Sequence, residues 1–106
     1  MSWYVGVAYF FGGAFGANAI PHLISGILGR PLQTPFASPP FKGLSSPAVN
    51  VGWSLLNLAV AYLLLVRVGE FEIRSWLHAG LGFAGFATMA LQCARSLERL
   101  QRESGR

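Results

Sequence analysis

Three stretches of this chain carry no charged side chain: the residues before Arg30, those between Lys42 and Arg67, and those between Arg74 and Arg95. Each approaches or exceeds the about 20 apolar residues that an α-helix needs to cross a bilayer. A chain of 106 residues cannot hide three such runs in a water-soluble core, because a small domain buries too little of the surface that its unfolded chain exposes. Charged residues make up 11% of the sequence and hydrophobic ones 53%, so the charged share is about half that of soluble domains. The expected fold class is all-α: an integral membrane protein with three transmembrane helices, forming a single domain over residues 1–106.

The prolines predict where the helices fall. All six, from Pro21 to Pro47, lie in one segment. Each proline removes an N–H and crowds the preceding turn, so this segment is expected to separate helix one from helix two. The expected boundaries are residues 3–20 for helix one, 21–46 for an interfacial segment, 47–66 for helix two, 75–94 for helix three and 95–106 for a cytoplasmic tail. Pro21 to Leu28 reads as a short amphipathic helix with Leu23, Ile24, Ile27 and Leu28 on one face, closed by Gly29. Connections this long are usually functional or disordered. The aromatic and aliphatic residues here argue against disorder. An ordered, Pro-rich cap is therefore expected, with His22, Arg30, Phe36 and Phe41 as its candidate functional surface.

The same region carries a resemblance. Asn18-x-x-Pro21-His22-x-x-x-Gly26-x-x-Gly29, followed by Thr34-Pro35-Phe36 and Asn50-x-x-Trp53, resembles a pattern in small, uncharacterised bacterial three-helix membrane proteins. It covers the first half of the chain. It implies a bacterial source and brings no assigned activity or cofactor.

Residue spacing within the helices points to packing. Trp3 and Tyr4 open helix one with rings suited to the headgroup level. Ala17-Asn18-Ala19 has the form of a signal cleavage site, but no positive side chain precedes it, so helix one is expected to be retained. Ala8, Gly12 and Gly16 recur every fourth residue and share one face, where small residues let another backbone approach. Ser46 and Pro47 are an N-cap and a first helical residue for helix two. Asn50, Ser54 and Asn57 then form a polar stripe, which lipid cannot satisfy and which must face protein or a wet cavity. Interhelical hydrogen bonding is the simpler reading, and a path for water or a small polar ligand is the other. On helix three, Gly82 and Gly85 lie in one row with His78, while Gly80, Ala84 and Thr88 form an adjoining ridge. Two such ridges imply contact on two sides. The short hairpin from Arg67 to Arg74 predicts that helices two and three are antiparallel neighbours.

Charge sets the expected orientation. The first connection carries Arg30 and Lys42 with no acid, and the tail carries Arg95, Arg99, Arg102 and Arg106 against two glutamates. The hairpin is balanced. The positive-inside rule then places the connection and the C-terminus in the cytoplasm, and the N-terminus outside, in a bacterial inner membrane. The net charge of +4 sits mostly where an apolar helix ends, which fits anionic lipid rather than nucleic acid.

Candidate chemistry is sparse. Cys93 is the only cysteine, which excludes a disulfide within one chain and a cysteine-based metal site. His22 and His78 are expected at opposite ends of the bundle, so one haem could not use both. None of the three runs contains the Asp or Glu that ion-coupled carriers usually place in a span. No hydrolase, nucleotide-binding or zinc-protease pattern occurs. The sequence thus points to no catalytic residues, no metal and no cofactor. It predicts a non-catalytic accessory or structural subunit whose partners are membrane lipid and other membrane subunits or itself. The alternative is a small homo-oligomeric channel or carrier with its path along Asn50, Ser54 and Asn57.

Overall fold

The computed structural model describes residues 1–40 and 42–103; Phe41 and the last three residues of the expected tail lie outside the described residues. Helix α1 spans Trp3–Ile27 without a break, with Pro21 inside it. This corrects the expectation that helix one ends before Pro21 and a separate interfacial helix comes after it. A proline deletes only one intrahelical hydrogen bond, here to the Ala17 carbonyl, and crowds one turn. The turns beyond it are held from the side. His22 bonds Asn50, and Gly26 lies so close to the next helix that a Cβ on it would sit 2.7 Å from the Pro47 carbonyl oxygen. The helix closes at Gly29, whose φ of 74° is the left-handed conformation that glycine adopts freely. The Gly29 N–H reaches the Gly26 carbonyl at 3.1 Å and the Arg30 N–H reaches Ser25 at 2.8 Å, the paired bonds of a Schellman end.

The connection contains a short antiparallel ladder, β1 (Leu32–Gln33) with β2 (Leu44–Ser45), in which Leu32 faces Ser45 and Gln33 faces Leu44. No sequence pattern predicts it. Helix α2 spans Pro47–Tyr62 and continues as a π-helical turn over Leu63–Arg67. Ser46 caps it: the Val49 N–H donates to Ser46 Oγ at 3.2 Å. Helix α3 spans Trp76–Glu103, running unbroken into the expected tail as far as the described residues go. Ser75 Oγ accepts from the His78 N–H at 3.2 Å, which satisfies one orphan donor of its first turn.

Helix α1 is the centre of the bundle. It packs along both α2 and α3, which barely touch each other. The prediction that helices two and three are direct neighbours is therefore corrected. The hairpin joining them folds over the end of α1 instead: Phe71 stacks edge-on against Tyr9 at 5.1 Å, and a Cβ on Gly69 would meet the Tyr9 hydroxyl at 2.6 Å. Small residues explain the arrangement. A Cβ on Gly13 would lie 1.9 Å from the Gly82 carbonyl oxygen, and one on Gly85 would lie 1.7 Å from that of Phe10. Helices α1 and α3 thus meet backbone to backbone, as small residues permit. The α2 face opposite offers bulkier side chains. The core is narrow, made of Ala8, Tyr9, Ala14, Ala17, Ala19 and Ala61. Three helices, Trp3–Ile27, Pro47–Arg67 and Trp76–Glu103, are long and apolar enough to cross a membrane.

The residues expected to mediate packing occupy different environments. Ala8 and Gly12 are buried, and Gly12 points at the Leu65 side chain. Gly82 approaches the Phe71 ring, and Gly85 makes the closest contact of the bundle. Gly16 has no atom within 4 Å of the position a Cβ would take, so Gly13, one residue off the expected row, fills the role assigned to it. The row slips because α1 has two partners and turns one small face to each.

Candidate functional site

Polar side chains collect at one end of the bundle, where α1 ends, the connection turns back and α2 begins. Asn50 is its centre and is 0% exposed. Its amide nitrogen lies 3.2 Å from the Leu32 carbonyl and 3.1 Å from those of Ser45 and Ser46. Two N–H groups therefore serve three acceptors, one of them shared. This environment fixes the amide orientation and turns Oδ1 toward His22 Nδ1, 2.7 Å away. Because that oxygen can only accept, His22 carries its proton on Nδ1. One residue of α2 thus ties together the end of α1 and both strands of the connection.

The rest of the polar stripe also faces α1. Asn57, 1% exposed, accepts from Asn18 Nδ2 at 3.0 Å and donates to the Trp53 carbonyl at 2.7 Å. Cys93 of α3 donates a long bond to Asn18 Oδ1 at 3.5 Å. Ser54 lies between the asparagines, 0% exposed, and its Oγ has no partner among the described residues.

Further contacts tie the connection down. Thr34 is buried and its hydroxyl bonds that of Ser45, across the ladder. Thr34 Oγ1 also accepts from the Phe36 N–H at 3.2 Å, turning the chain so that the Phe36 ring meets Trp53 edge-on at 5.3 Å. Of the expected functional surface, Phe36 and Arg30 are exposed, whereas His22 is buried within the polar cluster rather than displayed. It is buried because α1 continues past Pro21 and carries it against α2. Phe41 lies outside the described residues. His78 is at the other end of the bundle with Tyr9 and Phe71. Among the described residues no group of His, Cys, Asp and Glu could hold a metal ion.

A cavity of about 560 Å³ opens beside this cluster, between the end of α1, the connection and the last turns of α3. Asn18 and His22 are on its inner side, Gln33 and Lys42 come from the connection, and Ser96 and Arg99 from α3. It lies beyond the close approach of α1 and α3, where Gly13 meets Gly82 and Gly85 meets Phe10, and its lining comes from α1, the connection and α3. Spacing points to Asn50, but not to Gln33, Lys42 and Arg99. Those three meet only through the ladder and the length of α3, for which the sequence carries no short-range signal.

Comparison with known proteins finds no family model, no curated protein and no solved structure that matches this chain.

Proposed function

We propose that this chain is an integral membrane protein of three spans that serves as a non-catalytic accessory or structural subunit of a larger membrane complex, in a bacterial inner membrane. The connection and the C-terminal turns of α3 face the cytoplasm. The resemblance of its first half to small bacterial membrane proteins agrees with this, as does the charge distribution.

One observation carries the subunit reading. Helix α3 has two ridges of small residues, and only one is used within the chain. Gly82 and Gly85 take α1, whereas Gly80, Ala84 and Thr88 are exposed, with nothing within 4 Å of a Cβ placed on Gly80. Only 6% of the apolar window of α3 is buried, against 44% for α1. In lipid there is no hydrophobic drive between helices, and an open row of small residues is where another backbone can pack closely. The stripe Asn50, Ser54 and Asn57 supports the channel reading less, because all three face α1 in the interior.

The test is a mass measurement of the protein extracted in mild detergent. Foreign subunits should co-purify with the wild type and be lost from Gly80→Leu and Ala84→Leu variants that keep their own helical content. A symmetric homo-oligomer with no other component would favour the channel.

A further inference from the structure

We propose that the cavity between α1, the connection and α3 binds the phosphodiester headgroup of an anionic lipid. The proposal rests on the membrane reading above and adds to it a specific site and ligand class.

The donors in the cavity are the first argument. Gln33 is 9% exposed and lines the cavity, and its side-chain amide makes no hydrogen bond among the described residues. That amide keeps access to the cavity rather than being sealed in the interior, so it is free to donate to an acceptor there. Ser96 Oγ accepts from Gln92 Nε2 at 3.1 Å, which leaves its own hydrogen free to donate. Lys42 and Arg99 supply two cations, neither in an ion pair among the described residues. Glu103 is the single carboxylate among the described residues of the lining, and with Lys42 and Arg99 the three charged groups sum to one positive charge. That matches the single negative charge of a phosphodiester. Arg99 suits phosphate geometry in particular, since its planar fork can donate two parallel bonds.

The walls are the second argument, and they favour a lipid over a free anion. Met89, Leu97 and Leu100 line the same cavity. Across Cys93 and Leu97 a separate apolar groove of about 280 Å³ runs between α1 and α3, bordered by Ile20, Phe86 and Ala90. A charged mouth over apolar walls matches an amphiphile whose acyl chains lie along the helices. The volume falls within the range of about 300–1,000 Å³ typical of ligand pockets. Basic pockets between helices at the cytoplasmic level are a recurrent form of anionic headgroup site.

Native mass spectrometry on the full chain in mild detergent tests the proposal, with phosphatidylglycerol, phosphatidylcholine of the same chain length and glycerol 3-phosphate as probes. One phosphatidylglycerol should be retained, in preference to phosphatidylcholine by about tenfold. The double variant Lys42→Ala/Arg99→Ala should lower that retention about tenfold or more, the loss expected from charge-assisted hydrogen bonds. Lys42→Arg/Arg99→Lys should restore most of it, which separates a charge effect from a folding defect. Arg67→Ala/Arg74→Ala removes the same charge at the other end of the bundle and should change nothing. Equal retention of the two lipids, or an unchanged double variant, would overturn the proposal. Glycerol 3-phosphate binding as tightly as the lipid would overturn the lipid assignment and leave a free-anion site. A chain recovered in the soluble fraction without detergent would overturn the membrane reading itself. A chain that stays in membranes but shows no lipid selectivity refutes the headgroup site alone.

Discussion

Replacing Asn50 with leucine tests how the connection is held. Leucine keeps the branching and the number of heavy atoms, though it is larger, and removes every hydrogen bond the amide makes. The Ser46 carbonyl keeps its bond from the Asn50 backbone N–H at 3.0 Å, so it is not orphaned. The His22 Nδ1–H loses its buried acceptor, and the Leu32 and Ser45 carbonyls each lose a donor. An orphaned buried donor costs about 1–3 kcal/mol and each lost carbonyl bond about 0.5–1.5 kcal/mol. The sum is about 2–6 kcal/mol, with about 3 kcal/mol the working figure. The same change at Asn57 removes one interhelical bond, from Asn18, and the bond to the Trp53 carbonyl. Asn18 borders the open cavity, where water can take the lost acceptor's place, and interhelical bonds average about 0.6 kcal/mol.

The two variants should therefore separate clearly. Unfolding in mixed micelles, followed by loss of helical circular dichroism, should show Asn50→Leu destabilised several-fold more in free energy than Asn57→Leu. Hydrogen exchange over residues 31–45 should quicken in Asn50→Leu only, because of the two asparagines only Asn50 bonds that segment. A His22→Ala/Asn50→Leu cycle should give a coupling of about 1 kcal/mol or more, as for residues sharing one network. Equal destabilisation at Asn50 and Asn57, or unchanged exchange in the connection, would refute the view that one amide anchors it.

Other substitutions probe the packing and the orientation. Gly13→Ala and Gly85→Ala place a methyl within 2 Å of a carbonyl oxygen, so each should cost about 1–3 kcal/mol through overpacking, measured by the same unfolding assay. Gly16→Ala meets open space and should be neutral or stabilising by up to about 1 kcal/mol through helix propensity; a loss of assembly in Gly16→Leu without loss of fold would show that this face meets another chain. Ser54→Ala removes a buried hydroxyl that has no partner and should raise stability by about 1 kcal/mol, whereas a loss of that size would reveal a partner such as bound water. A cysteine placed at Glu70 should react with a membrane-impermeant reagent from outside the cell, and one at Gln101 should not. The reverse pattern would refute the orientation read from charge.

The sequence made the helices legible because three charge-free runs leave a chain few alternatives. The start of α2 was legible for a local reason, Ser46 and Pro47 together. The course of α1 was not, because a proline's effect depends on what holds the turns around it. At Pro21 the holding groups are Asn50 and Pro47, both distant in sequence. The same non-locality hid the ladder: two strands of two residues each are too short to show alternation. The polar stripe was visible as a period on one helix, but its partners Asn18 and His22 had to be found on another.

The helix arrangement has a more general cause. Loop length constrains which helices can be close, and the short hairpin did bring α2 and α3 to the same end. It did not make them pack. In the membrane setting proposed above, the attraction between helices depends on how near the backbones come, since apolar side chains gain little over acyl chains. Helix α1 has small residues on two sides, and it therefore captured both neighbours. The consequence reaches the candidate site. With α1 in the middle, the cavity is walled by α1, the connection and α3, and at the connection end the basic residues Lys42 and Arg99 border it. The glycines of α1 and α3 thus act on the site indirectly, by setting how α3 lies against α1 at the level from which the cavity walls continue.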